Sequence, residues 1–433
     1  MIKCVSYMAS GVTLRYNMEV FEFSEKIRSA ADKAMELVRP RFEELDELCE
    51  YNGQRVLKAF IDNRVSEPHL KGTTGYGYND DGRDKLDAVF AQVLGAEDAL
   101  VRHNFVNGTH AITTALFGVL RPGDTLLSLT GDVYDTLRDV IYGENCGSLR
   151  DFGVLYDKVD LLSDGTPDFE MIINEVRRVE AVYIQRSRGY SLRPSLSIMM
   201  IRKIIKAVRS INPDCVIIVD NCYGELVEDK EPTAVGADLI AGSLIKNLGG
   251  GIAETGGYIA GRHELVEMCA YRLTCPGAGR EVGCSLDQNR GMFMGLFRAP
   301  ETVCAALKTS VFAAAFFGEL GYEAFPGYDE KRTDIITALK LGTPEKLIAF
   351  CEGIQSGSPV DSSAVPEPWD MPGYNSKVIM AAGAFTMGSS IELSADAPLR
   401  SPFAVWLQGG LTFAAGRAGI MLAARRMEEK GLL

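Results

Sequence analysis

Histidine and tryptophan are scarce in this chain of 433 residues, with four and two copies. None of the four histidines stands at metal-ligand spacing from the ten cysteines, so the local cluster of Cys269, Cys275 and Cys284 gives no basis for a zinc site. No C-x-x-C occurs, and a chain this long folds without disulfides; most of the cysteines read as reduced core thiols. An excess of positive charge is also missing. A net charge of −13 without a basic patch argues against nucleic acid and anionic membrane surfaces as partners and leaves a small molecule open. No run of about 18 apolar residues is present, and the opening MIKCVSYMASGVTLRYNMEVFEF lacks the basic start and apolar core of a leader, which points to a cytoplasmic protein. Internal repeats and low-complexity segments are absent.

What is there is the material of a large folded enzyme. The length exceeds what one hydrophobic core accommodates. The reading divides the chain into an N-terminal helical segment (1–70), a large α/β domain (71–300), and a bridging helix with a small C-terminal α+β domain (301–433). Apolar positions Phe23, Ile27, Ala30, Ala34 and Leu37 recur at helical spacing, and the pattern continues past Pro40. The stretch from Lys71 to Asp84, KGTTGYGYNDDGRD, reads as a loop rich in glycine and turn formers. Short apolar runs around Leu127, Tyr183, Ile218 and Ile240 read as strands buried on both faces. With helical segments between them they predict a mostly parallel central sheet flanked by helices. After Arg290 an alanine-rich helix runs to Gly318 or Gly321, and a final helix spans about Leu411 to Lys430.

The chemistry concentrates at the ends of two of those strands. VIIVD ends in Asp220, and Lys246 comes later in ADLIAGSLIKNLGGG. Both fall at the carboxyl edge of the sheet, where open α/β sheets bind ligands. A lysine there can form an imine with the aldehyde of pyridoxal 5′-phosphate, and a carboxylate can keep the pyridine nitrogen protonated. Taken singly, Asp220 reads equally as a helix cap and Lys246 as a solvated cation.

Upstream, Asn107-Gly108-Thr109 precedes a helix beginning near His110, a place where backbone N–H groups take a phosphate; a plain capped turn is the alternative. His110 itself reads as a first-turn surface residue. Tyr134 can lie against a bound ring or be a core tyrosine, and Ser243 can offer its hydroxyl to a phosphate or cap a turn. The glycines after Lys246 match neither nucleotide-binding fingerprint.

The order of these pieces resembles the fold type I pyridoxal-phosphate enzymes of the cystathionine and methionine lyase group. The closer likeness is to the branch of methionine γ-lyase-like, aluminium-resistance proteins, carried by GYGYNDDGRDKLD, VNGTHAI, IQRSRGYSLRPS, DNCYGE and SLIKNLGGGIAETGGYIAG. The resemblance implies that Lys246 is the Schiff-base lysine, that Asp220 pairs with the pyridinium, that Tyr134 stacks on the ring, and that Gly108, Thr109 and Ser243 bind phosphate. It also implies a homodimer or dimer of dimers, a homotetramer, in which Tyr76 or Tyr78, with Arg83 a weaker match, reaches the neighbouring subunit's phosphate. Two departures stand out. Ile245 replaces a threonine before the lysine, and the arginine for the substrate carboxylate has no matching string. Arg400 and Arg188 are the candidates for that carboxylate, and Arg186 is a rival.

The expected activity is a lyase that cleaves the C–S bond of a sulfur amino acid by β- or γ-elimination. An aminotransferase or racemase, or a non-catalytic pyridoxal-phosphate-binding stress protein, are the alternatives. Clustered oxygen ligands that would cage a hard cation such as aluminium are not evident.

Overall fold

The computed structural model describes residues 20–371 and 376–433. Residues 1–19, most of the stretch inspected for a leader, and residues 372–375 of the C-terminal turn-rich stretch lie outside the described residues.

The first long helix, α1 (Glu25–Asp62), starts where the Ser24 hydroxyl accepts from the Ile27 N–H at 3.3 Å, and it continues through Pro40 as its apolar spacing predicts. The second, α2 (Asp81–Leu94), begins inside the stretch read as loop up to Asp84. The Asp80 carboxylate caps the Arg83 N–H, so part of the D-D-G-R-D run is a helix start rather than a turn. Then β1 (Asp98–Arg102), α3 (Gly108–Val119), β2 (Thr125–Ser128), α4 (Asp135–Tyr142), β3 (Leu155–Lys158), α5 (Phe169–Glu175), β4 (Ala181–Gln185), α6 (Ile198–Ile211), β5 (Val216–Asp220), β6 (Leu239–Ser243), β7 (Gly257–Gly261) and α7 (His263–Leu273) build one layered unit. Its seven-stranded sheet has the order β1-β7-β6-β5-β4-β2-β3. The pairings among β2, β3, β4, β5 and β6 are parallel, and β7 runs antiparallel to both β6 and β1. Strands β4 and β6 are buried along their whole length, which is why they read as unbroken apolar runs.

A long helix, α8 (Asn289–Glu319), comes next. Among the described residues it is the one helix long and apolar enough to cross a membrane by composition, yet 78% of that window is buried within the structure, so it serves as a core helix. Position 300, the expected domain boundary, falls at Pro300 in its middle. Beyond it β8 (Glu323–Phe325), β9 (Thr337–Lys340), α9 (Pro344–Ser356), β10 (Val378–Ala381), β11 (Ser394–Pro398), β12 (Ala404–Gln408) and α10 (Phe413–Glu429) form a second unit. Its five strands make an antiparallel sheet of order β10-β11-β12-β9-β8.

At one crossing α8 touches the turn after Lys246. Gly295 meets Gly249 and Gly250 backbone to backbone, with no room at either position for a side chain.

Candidate active site

Asp220 is the last residue of β5 and Ser243 the last of the neighbouring β6, so the parallel register carries both to the same edge of the sheet. Asp220 is buried; its Oδ2 accepts from the Tyr183 hydroxyl at 3.2 Å and its Oδ1 from the Cys222 N–H at 3.0 Å. Burial pushes its carboxyl up from the usual range, against the pull of Lys246 and these hydrogen bonds. Lys246 stands in the turn beyond β6, with its Nζ 3.8 Å from the centroid of the Tyr223 ring. Burial opposes the lysine's charge, but Cys222, Tyr223 and Asp220 outweigh it and the amine is shifted upward.

The start of α3 opens onto the same edge. Asn107 accepts from the His110 N–H at 2.8 Å, which leaves the N–H groups of Gly108 and Thr109 without a partner among the described residues. A Cβ at Gly108 would lie 3.1 Å from Cys222 Sγ and 3.4 Å from Ser243 Cβ, so the missing side chain keeps a cradle open between three elements. Tyr134 precedes α4. Its hydroxyl donates to Thr109 Oγ1 at 3.1 Å and its N–H to Gln185 Oε1 at 3.0 Å. Burial first, and then Asp220 and Cys222, raise that hydroxyl well above its ordinary value.

Six residues singled out in the sequence are thereby brought together: Lys246, Asp220, Tyr134, Gly108, Thr109 and Ser243. The others are elsewhere. Tyr76 and Tyr78 are exposed and stack on each other, with centroids 5.6 Å apart. Arg83 does not reach outward with them. It is buried and donates to the Gly77 and Gly283 carbonyls, each at 2.9 Å, fixing the loop that displays the tyrosines. Arg186 is fully buried, donating to Asn221 Oδ1 at 2.8 Å and Glu228 Oε2 at 3.0 Å, a structural clamp rather than a substrate contact. Arg188 is engaged too, by the Phe325 carbonyl at 2.7 Å and Ser195 Oγ at 3.3 Å. Arg400 is exposed beyond the end of β11. His110 packs edge-on against Phe105 and accepts from the Val106 N–H at 3.1 Å, holding the entry to α3. Ile245, at the departure from the threonine pattern, gives its carbonyl to the Ile391 N–H at 3.0 Å and so ties the lysine turn to the second unit.

Sequence reasoning passed over Cys222, Tyr223 and Gln185. Each closes a strand or stands within three residues of a strand end, which is the signal that could have found them. Among the described residues, no three His, Cys, Asp or Glu side chains stand together as a metal site.

The family model described as Methionine gamma-lyase matches residues 27–428. The protein YnbB of Bacillus subtilis is 48% identical over 90% of this chain and 94% of its own length. The crystal structure of a carbon–sulfur lyase involved in aluminium resistance, from Clostridium novyi NT, is 50% identical, covers 93% of this chain and 96% of its own, and superposes with a TM-score of 0.90. A cystathionine gamma synthase from Xanthomonas oryzae pv. oryzae, solved with cystathionine, shares the fold at 16% identity, covering 88% of this chain and 99% of its own with a TM-score of 0.61.

Proposed function

Because the chain belongs to the methionine gamma-lyase family, we propose that it is a pyridoxal 5′-phosphate-dependent carbon–sulfur lyase, cleaving a sulfur amino acid of cystathionine, cysteine or methionine type by β- or γ-elimination. The observation that carries the reading is a buried carboxylate and an amine at the ends of neighbouring parallel strands, Asp220 on β5 and Lys246 just beyond β6, beside the open start of α3.

The residues present suit the cofactor. Lys246 would hold its aldehyde carbon and Asp220 its ring nitrogen, with Tyr134 against the ring. Its phosphate would take the free N–H groups of Gly108 and Thr109 and the hydroxyls of Thr109 and Ser243. When bound, it supplies an electron sink for charge left at the substrate's α-carbon.

The chain's own side chains supply the rest. Burial favours the neutral form of Asp220, so a cationic ring nitrogen is the partner that keeps it ionised. The Lys246 amine, when free, would be the base placed to move the substrate's α-proton. Tyr134 keeps its proton at neutral pH and can give one to a departing sulfur but not take one. For the substrate carboxylate the reading keeps Arg188 and Arg400, which are distinguished by which substitution raises KM at constant kcat. The reading extends to a homodimer or dimer of dimers, supported by the anchored loop that presents Tyr76 and Tyr78 to solvent.

Purified protein is expected to carry visible absorbance that borohydride abolishes, and to release ammonia and a 2-oxo acid from a sulfur amino acid. Lys246→Ala should lose both. Release of 2-oxo acid by the variant at the parent rate would overturn the assignment. Amino-group transfer without ammonia would move it to an aminotransferase, and bound cofactor with no turnover to a non-catalytic binder.

A further inference from the structure

Strand β4 sends its side chains to two layers: Val182 and Ile184 join one part of the core, Ala181 and Tyr183 the other. Tyr183 is fully buried there, opposite Ile218 of β5 in the parallel register. Asp220 stands two residues further along β5, on the same face as Ile218. The two side chains are therefore diagonal neighbours on one face of the sheet, a separation that a tyrosine can span. The Tyr183 hydroxyl reaches Asp220 Oδ2 at 3.2 Å and donates to it.

A phenylalanine would fill nearly the same volume in this apolar layer, so packing does not account for the hydroxyl, which costs free energy in an interior unless it is hydrogen-bonded. Its partner is the carboxylate. Burial, and after it Asp220 and Tyr134, raise the hydroxyl well above its ordinary value, so it stays protonated and serves as a donor. Asp220 also receives the N–H of Cys222 on Oδ1 at 3.0 Å and lies beside the Cys222 thiol, but both come from its own turn. Gln185, directly opposite Asp220 in the register, is turned elsewhere: it accepts from the Tyr134 N–H and donates to the Ser187 carbonyl. Tyr183 is thus the donor that the neighbouring strand supplies, and it fixes the carboxylate from outside its own turn.

We propose, on the basis of the lyase reading above, that Tyr183 is a positioning residue for the reaction: its hydroxyl fixes the Asp220 carboxylate and keeps it ionised for the cofactor's ring nitrogen. What it sets is the place of one proton. With Tyr183 donating to Oδ2, the negative charge on Asp220 is stabilised and the shared proton belongs to the nitrogen. Without that hydroxyl the carboxylate is more basic, burial already favours its neutral form, and the proton moves from nitrogen to oxygen. A neutral ring is a poorer sink for charge at the substrate's α-carbon. Tyr183 therefore acts through Asp220.

Nuclear magnetic resonance on the holoenzyme, with pyridoxal 5′-phosphate isotopically labelled at the ring nitrogen, reads that proton directly, because a pyridinium and a neutral pyridine resonate far apart. Wild type should show the pyridinium. Tyr183→Phe should move the resonance toward neutral pyridine, with kcat lowered about tenfold or more and KM within about threefold of wild type. Ile184→Val, which trims the opposite face of the same strand, should lower the thermal midpoint and leave the resonance in place. A Tyr183→Phe resonance that stays at the wild-type position overturns the proposal, and so does an equal shift in Ile184→Val. A neutral nitrogen in wild type overturns it too, whether or not the phenylalanine variant folds. A resonance that moves in Tyr183→Phe alone, in a protein that cleaves no thioether, would sink the lyase reading and leave the pairing of Tyr183 with Asp220 standing.

Discussion

Lys246 Nζ sits over the face of Tyr223, 3.8 Å from the ring centroid, and Tyr223 reaches that position with a backbone φ of +69°. A non-glycine residue in the left-handed region costs about 1–3 kcal/mol. Here the strained turn aims an aromatic face at the Lys246 amine. An ammonium over a partly desolvated ring gains about 1–2 kcal/mol, enough to hold the lysine in place whenever its amine is free and protonated.

The ring face, and not the hydroxyl, is therefore expected to matter. Tyr223→Phe should keep kcat within about threefold, whereas Tyr223→Leu should lower it about tenfold or more. Steady-state kinetics on both variants decides; equal losses would assign the effect to the hydroxyl.

Gly108→Ala puts a methyl 3.1 Å from Cys222 Sγ and 3.4 Å from Ser243 Cβ, in the cradle between α3 and β6. The fold has room to give by a few tenths of an ångström, so the thermal midpoint should fall only a few degrees. Affinity for pyridoxal 5′-phosphate should fall about tenfold, about 1.4 kcal/mol. Titrating the apoprotein with the cofactor while following absorbance measures it.

Glu225 is fully buried, with Oε1 accepting from the Tyr258 hydroxyl at 2.9 Å and Oε2 unpartnered among the described residues. Burial pushes its carboxyl from 4.5 to about 8. A raised folded value means the proton is bound more tightly in the folded chain. The stability this group contributes is full below pH 4.5 and is lost as pH rises through 8, at about 1.4 kcal/mol per unit. Glu225→Gln should therefore gain on wild type as pH rises from 4.5 to 8 and change little above that. Urea midpoints at three pH values test the slope, and a difference that shrinks with rising pH would contradict it.

The arginines should separate by burial. Arg186→Met removes the buried cation shared by Glu228 and Glu231, leaving Glu228 only the cation of Lys331 at 3.7 Å among the described residues, and should cost about 3–5 kcal/mol. Arg400→Met, at an exposed position, should change stability by less than about 0.5 kcal/mol. Chemical denaturation of both gives the answer.

Much of this was legible in the sequence for a physical reason. Strands β4, β5 and β6 are buried on both faces, so they read as unbroken apolar runs, and the residues just past such a run must lie at the sheet's edge. That logic found Asp220, Ser243 and Lys246 from the sequence alone. It failed where position depends on conformation instead of period. Tyr223 is aimed by a positive φ, which no pattern announces, and Cys222 matters only because Gly108 approaches from another element. Arg186 looked like an anion binder because charge is visible in a sequence and burial is not.

The meeting of Gly295 with Gly249 and Gly250 makes the middle of α8 and the lysine turn one mechanical part. A tilt of this helix carries the lysine with it, and α8 also packs on β8, β9, β12 and α10 of the second unit. Any shift of the second unit against the first is thus transmitted through α8 to the turn that carries Lys246. Tolerance to mutation along α8 should accordingly depend on distance from Gly295: a bulky residue there would misalign the chemistry while leaving the sheets themselves intact.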